Sequence, residues 1–205
     1  TITGEGTLAT KENDCYGVDL QDVTAKCTIE SGTYIGNIHA VYVQSGALTV
    51  KGGNYSIQQL YPNASLSYEF VLNCYDANHA NGTATITVSG GTFEKFNPGN
   101  NNAEGKGNSF LAEGYKAVQN GDSYEVVELK VAEINGTIYS SLLKAMEAAK
   151  SGDTIKMLED EDLTEILTVD ASKKVTLDLA GHTVKTLEST DKDTLIVKGE
   201  LTIKD

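Results

Sequence analysis

LTVKGGNY (48–55) decides how this chain reads. Leu48 and Val50 alternate with Thr49 and Lys51, the period of a strand with one face buried. Gly52 and Gly53 then give the backbone the freedom a sharp corner needs. Tyr55 follows the corner. The same octet recurs as CTIESGTY (27–34) and ITVSGGTF (86–93). Its pattern is apolar, Thr, β-branched, polar, small, Gly, polar, aromatic. The start-to-start offsets are 48 − 27 = 21 and 86 − 48 = 38 residues, roughly one and two units of about 20 residues.

A strand, a corner and another strand, repeated without helices between them, predict a parallel β-helix whose turns stack at ~4.8 Å. The aromatics Tyr34, Tyr55 and Phe93 fall where each would meet its counterparts in neighbouring turns. Imperfect copies appear in VTLDLAGHTV (175–184), LIVKGELTIKD (195–205) and the opening TITGEG. The rival is an up-and-down β-sandwich, which needs hairpin turns every 8–12 residues. The glycine spacing does not give them.

Two segments leave the pattern. Residues 56–82 form a long excursion carrying Tyr61, Tyr68, Tyr75 and His79. Residues 96–128 run through an Asn/Gly-rich stretch into two short strands turned at Asn120-Gly121, a hairpin signal. That hairpin is expected to act as the lid of a solenoid. Then YSSLLKAMEAAKSGDTIKML (139–158) brings a helix, with Ser140 or Ser141 as N-cap and Leu142, Leu143, Met146 and Ala149 as its apolar stripe. It is expected to cap the first turn of a second unit. The domains read as 1–128, the C-terminal part of one β-helix unit with its lid, and 129–205, the cap helix and first turns of the next. On this reading both ends of the chain lie in mid-repeat. Thr1, Ile2 and Thr3 at one end and Leu201, Ile203 and Asp205 at the other are candidate assembly residues. Either copies join head to tail into a filament, or the chain is a window from a longer array.

Composition narrows the function. The 205 residues carry 16 basic side chains, all Lys, against 29 Asp and Glu, for a net charge of −13. Such a chain repels phosphate backbones and anionic membrane surfaces, which excludes nucleic acid as a partner. No apolar run is long enough to span a bilayer as a helix. Cys15, Cys27 and Cys74 are too few for a disulfide framework. Cys27 holds the octet position of Leu48 and Ile86, and a Cys15–Cys27 bridge is left open.

VAEINGTIYSSLLKAMEAAKSGDTIKMLEDEDLTEILTVDASKKVTLDLAGHTV (131–184) resembles the N-terminal cap and first coils of pectate-lyase-like right-handed β-helix domains. Such domains occur in surface proteins of anaerobic gut bacteria and in fibre or adhesin proteins of their phages. TITVSGGTFEKFNPGNNNAEGKGNSFLAEGYKAVQNGDSYEVV (85–127) looks like the end of such a domain. The resemblance implies an all-β, right-handed parallel β-helix with one short capping α-helix, at a cell or virion surface. It does not imply one activity, because the scaffold carries lyases, hydrolases and adhesins. Lyases of this kind use Arg as the base and clustered Asp for calcium, and this chain has no Arg.

The remaining polar candidates read as structural. Asp14, Asp19, Asp22, Asp160 and Asp162 read as solvated turn residues rather than a hydrolase set. His39 reads as an outward strand residue and His182 as a corner residue. No His pair has zinc-ligand spacing. The expectation is a non-enzymatic structural or adhesive module with no cofactor and no metal. Its partners would be its own copies, neighbouring repeats or a surface glycan. The alternative is a carbohydrate-binding or polysaccharide-degrading protein. The best glycan candidates are Tyr61, Tyr68, Tyr75 and His79, phenols spaced seven apart beside asparagines.

Overall fold

The octets fold as they read. In the computed structural model, which describes residues 1–11, 16–62, 67–101, 107–186 and 193–205, each octet ends one strand, turns on glycine and starts another. The chain divides into two units, Thr1–Glu128 and Leu129–Asp205, each with its own hydrophobic core. Among the described residues the fold is mostly β, with several mixed sheets and two short helices.

The first unit contains β1 (Thr7–Ala9), β2 (Tyr16–Ile29), β3 (Thr33–Gly36), β4 (His39–Val50), β5 (Asn54–Ile57), β6 (Tyr61–Pro62), β7 (Ser67–Tyr68), β8 (Leu72–Cys74), α1 (Asp76–Ala80), β9 (Ala84–Val88), β10 (Thr92–Glu94), β11 (Tyr115–Asn120) and β12 (Ser123–Glu128). β4 is parallel to β2 on one side and to β8 and β9 on the other. Cys27, Leu48 and Ile86 share one register row, and Ile29, Val50 and Val88 another. Around the corner, β1, β3, β5 and β10 form a second parallel ladder. The hairpin β11–β12 joins it antiparallel through β12 and covers the edge of β10.

Two features hold these ladders in step. A Cβ on Gly52 would stand 2.3 Å from the Glu30 carbonyl oxygen, and one on Gly90 would stand 2.2 Å from that of Lys51. Only glycine lets successive corners lie that close. Behind the corners, Tyr34 and Tyr55 stack at 5.1 Å and 12°, and Tyr55 and Phe93 at 4.9 Å and 9°. All three rings are buried. The Tyr34 hydroxyl donates to the Ser31 carbonyl at 2.8 Å, and that of Tyr55 to the Gly52 carbonyl at 2.7 Å. Each of the two tyrosines therefore ties down its own corner, and the burial pushes the Tyr55 phenol strongly up from its ordinary value. Stacked pairs of this kind contribute ~0.5–1.5 kcal/mol each beyond their buried area.

The second unit contains β13 (Ala132–Ile134), β14 (Thr137–Tyr139), α2 (Leu142–Ala148), β15 (Thr154–Met157), β16 (Glu161–Leu163), β17 (Leu167–Val169), β18 (Lys174–Asp178), β19 (Val184–Thr186), β20 (Leu195–Val197) and β21 (Glu200–Lys204). β15, β18 and β21 are parallel, as are the pairs β16–β19 and β17–β20. The antiparallel strands β13 and β14 close the β15 side. Helix α2 buries Leu142, Ala145 and Met146 against this core. Ser141 is its N-cap, its hydroxyl accepting from Lys144 N at 3.1 Å. A Glu161 carboxylate oxygen accepts from Leu142 N at 2.8 Å, and Lys173 Nζ donates to the Glu147 carbonyl at 2.8 Å. Both helix ends are thus satisfied from elsewhere in the unit, by Glu161 of β16 at one end and by Lys173, just before β18, at the other.

Three expectations change. The excursion contains a five-residue helix, α1, where the sequence pattern showed none. His39 is buried, 3 % exposed, because aromatic residues from sequence-distant segments close over it. Asp19, Asp22 and Asp162 lie on strands, not in turns: Asp19 pairs with Tyr42, Asp162 pairs with Lys185, and Asp22 lies in β2 where its register shifts between Gln21 and Lys26. Asp14 and Cys15 lie outside the described residues.

Candidate functional site

Alternation in the β2–β4–β8 sheet sends Leu20, Val43 and Cys74 into the core and leaves Asp19, Tyr42 and Asn73 as a row on the opposite face. Tyr42 anchors an aromatic cluster there. Its ring centroid is 4.8 Å from Tyr16 and 5.4 Å from His39, and His39 is 5.8 Å from Phe70. His39 Nδ1 lies 2.7 Å from the Phe70 carbonyl, which ties the return of the excursion to β4. Burial pushes the His39 imidazole below its ordinary value. The Tyr42 phenol is pushed up to about 12, first by burial and then by Tyr16, Asp19, Asp76 and Tyr75 nearby. Gln21 Nε2 donates to Asp19 at 2.6 Å. Asn73 Oδ1 is buried and has no hydrogen-bond partner among the described residues.

The four sequence-predicted glycan residues fall on different elements. Tyr61 and Tyr68 are cross-strand partners in β6 and β7. Tyr75 is the N-cap of α1 and is exposed. His79 sits in the last turn of α1, where its Nδ1 lies 3.2 Å from the Ala84 carbonyl and its ring meets Phe110 edge-on at 6.2 Å. His79 therefore joins α1 to β9 and the core. Seven-residue spacing suggested one surface; the chain instead divides the four residues between a hairpin and a helix. Tyr42, which the sequence reading did not single out, stands beside Tyr75 and pairs with Asn73, one of the asparagines read beside the phenols. The only signal for Tyr42 was the outward half of its strand's alternation.

The ladder edges carry apolar residues. Ile2 bridges in parallel to Ile29, and Leu8 pairs with Tyr34. Both are exposed, and a cavity of ≈ 220 Å³ lies among Ile2, Leu8, Gly32 and Tyr34. Thr3 Oγ is 3.3 Å from Ser31 Oγ, and Thr1 is exposed. In the second unit Leu201 and Ile203 pair with Val175 and Leu177 on β18, and β21 has no other ladder partner among the described residues. Ile203 and Val197 are 52 % and 47 % exposed, large values for apolar strand residues. A cavity of ≈ 370 Å³ opens among Leu163, Leu167, Leu177, Leu195 and Ile203. Asp205 accepts from Gly181 N at 2.5 Å through its carboxylate.

The remaining titratable groups make local structure. Asp160 accepts from Thr183 N at 2.9 Å and sits 3.2 Å from His182 Nδ1, contacts that hold its carboxyl below the usual range. Among the described residues, no three of His, Cys, Asp and Glu are grouped so as to hold a metal ion. Among the same residues, no helix is long and apolar enough to cross a membrane. No family model, curated protein or solved structure matches this chain.

Proposed function

We propose that this chain is a non-enzymatic structural and adhesive segment of an extracellular fibre or surface protein, built as a right-handed parallel β-helix. The carrying observation is the pair of parallel ladders that stop at edge strands with exposed apolar residues, Leu8 beside β3 and Ile203 beside β18. Exposed edges of this kind accept a further parallel strand. Shared register rows, stacked rings and glycine corners support the β-helix reading, since each recurs at the same place in successive turns. The added turn comes from a second copy of this chain or from neighbouring repeats. A head-to-tail contact between copies is heterologous and does not close, so it grows a fibre.

Negative-stain electron microscopy at low and high concentration tests this, with Ile203→Lys as the edge-blocked control. Fibres with a regular axial repeat, lost in the variant, identify the second copy as the partner. Isolated particles assign the added turn to neighbouring repeats. Release of unsaturated or reducing sugar from an acidic polysaccharide would overturn the non-enzymatic reading.

A second reading, carbohydrate binding, rests on Tyr42 and the exposed Tyr75 beside it, whose phenol faces suit a sugar ring. Tyr75→Ala should then weaken retention on a neutral glycan column without altering stability.

A further inference from the structure

The sequence holds three Asn-Gly pairs, at Asn81, Asn120 and Asn135. In such a pair the backbone nitrogen of the glycine can attack the asparagine side-chain carbon, because no Cβ shields it. The new C–N bond displaces the side-chain nitrogen as ammonia, which takes the proton from the glycine N–H. Water then opens the resulting succinimide at either carbonyl. The products are aspartate and isoaspartate.

The structure protects two of the three. Gly82 N donates to the His79 carbonyl at 3.0 Å, and Asn81 Oδ1 accepts from Thr83 N at 3.0 Å and Thr83 Oγ at 2.6 Å. Gly136 N donates to a Glu133 carboxylate oxygen at 3.1 Å, and Asn135 Nδ2 donates to Asp153 at 3.2 Å. In both pairs the nucleophile and the side chain under attack are held. Asn120 and Gly121 are exposed, with open space around the Gly121 α-carbon. Among the described residues neither the Gly121 N–H nor the Asn120 side chain has a hydrogen-bond partner.

We infer that Asn120-Gly121 is a self-modifying site, at which the folded protein converts asparagine to aspartate and isoaspartate with water as the only co-reactant. The site is the tip of the β11–β12 hairpin. Asn120 is paired with Ser123 there, Ser123 with Glu94, and Lys95 N donates to the Asp122 carbonyl at 2.7 Å. Isoaspartate routes the main chain through Cβ and lengthens it by one atom, which disrupts that pairing. Either product adds a negative charge beside Asp122. The hairpin that covers β10 therefore loosens with age.

Peptide mapping by mass spectrometry tests this on the full chain held folded at mildly alkaline pH. The Asn120 peptide should gain about 1 Da and split into two isomers. It should do so at least about tenfold faster than the Asn81 and Asn135 peptides, the factor one lost hydrogen bond is worth. In denaturant the three should converge. Thr83→Val should raise the Asn81 rate in the folded chain. Equal rates in the folded chain, or Asn81 or Asn135 reacting first, would overturn the inference.

Discussion

The two units fill similar parallel ladders with different side chains. The interior of the first contains the column Tyr34–Tyr55–Phe93, with Phe96 beside it and Phe110 elsewhere in the same core. Among the described residues, the buried set of the second contains no ring: it is Leu, Ile, Val, Ala and Met, covered by α2. Rings stack only at a fixed spacing, so the first unit must hold successive corners level, and Gly52 and Gly90 do this by letting backbones touch. Aliphatic side chains interlock over a range of spacings. The second unit accordingly relies on a capped helix rather than a column. A regular interior demands regular corners, whereas an irregular one demands a cover.

The strongest way to break that contrast is Phe93→Ala. It should destabilise the first unit by ~3–5 kcal/mol, and residue-resolved amide exchange should show protection in the second unit unchanged. Simultaneous loss in both would mean that they do not unfold separately. Next, Gly52→Ala places a methyl against the Glu30 carbonyl and should cost about 1–3 kcal/mol. Gly6→Ala, whose Cβ would meet open space, should change stability by less than about 0.5 kcal/mol. Denaturant midpoints compare the pair. In the second unit, Ser141→Ala removes the α2 cap and should cost ~1 kcal/mol there alone.

The smallest effect is one of sign. The folded-state value of His39 is depressed, so its neutral form is favoured, and the stability it contributes is lost as pH falls below about 6.5. The folded-state value of Glu161 is raised by burial, so the folded state binds its proton more readily. Its unfavourable charge is relieved as pH falls from neutral towards about 4.5. Acidification through that window should therefore weaken the first unit through His39 while easing the second through Glu161. His39→Phe and Glu161→Gln should each flatten the slope of their own unit, measured by unit-resolved exchange against pH.

The ladders of the first unit were legible because the octet writes register directly: equal positions in 27–34, 48–55 and 86–93 become partners. The α2 cap was legible locally to within Ser140 or Ser141, and its stripe in Leu142 and Met146, though not in the buried Ala145. The outer aromatic face was not. Asp19, Tyr42 and Asn73 are 23 and 31 residues apart, and β2 is irregular between Leu20 and Lys26, so no fixed offset aligns them. His39 was misread because its cover, Tyr16 and Phe70, comes from segments that spacing alone does not bring together. The seven-residue Tyr spacing does not mark one element, because Tyr61 and Tyr68 lie on a hairpin and Tyr75 caps a helix.

The segregation of rings also makes the molecule its own optical instrument. The chain has no Trp, all four Phe precede residue 129, and of ten Tyr only Tyr139 lies beyond it. Near-ultraviolet dichroism and tyrosine emission therefore report almost entirely on the first unit, from chromophores that Tyr34 and Tyr55 hold in a rigid chiral stack. Far-ultraviolet dichroism reports on the strands of both. Subtracting one melting curve from the other isolates the silent half of the chain without a label.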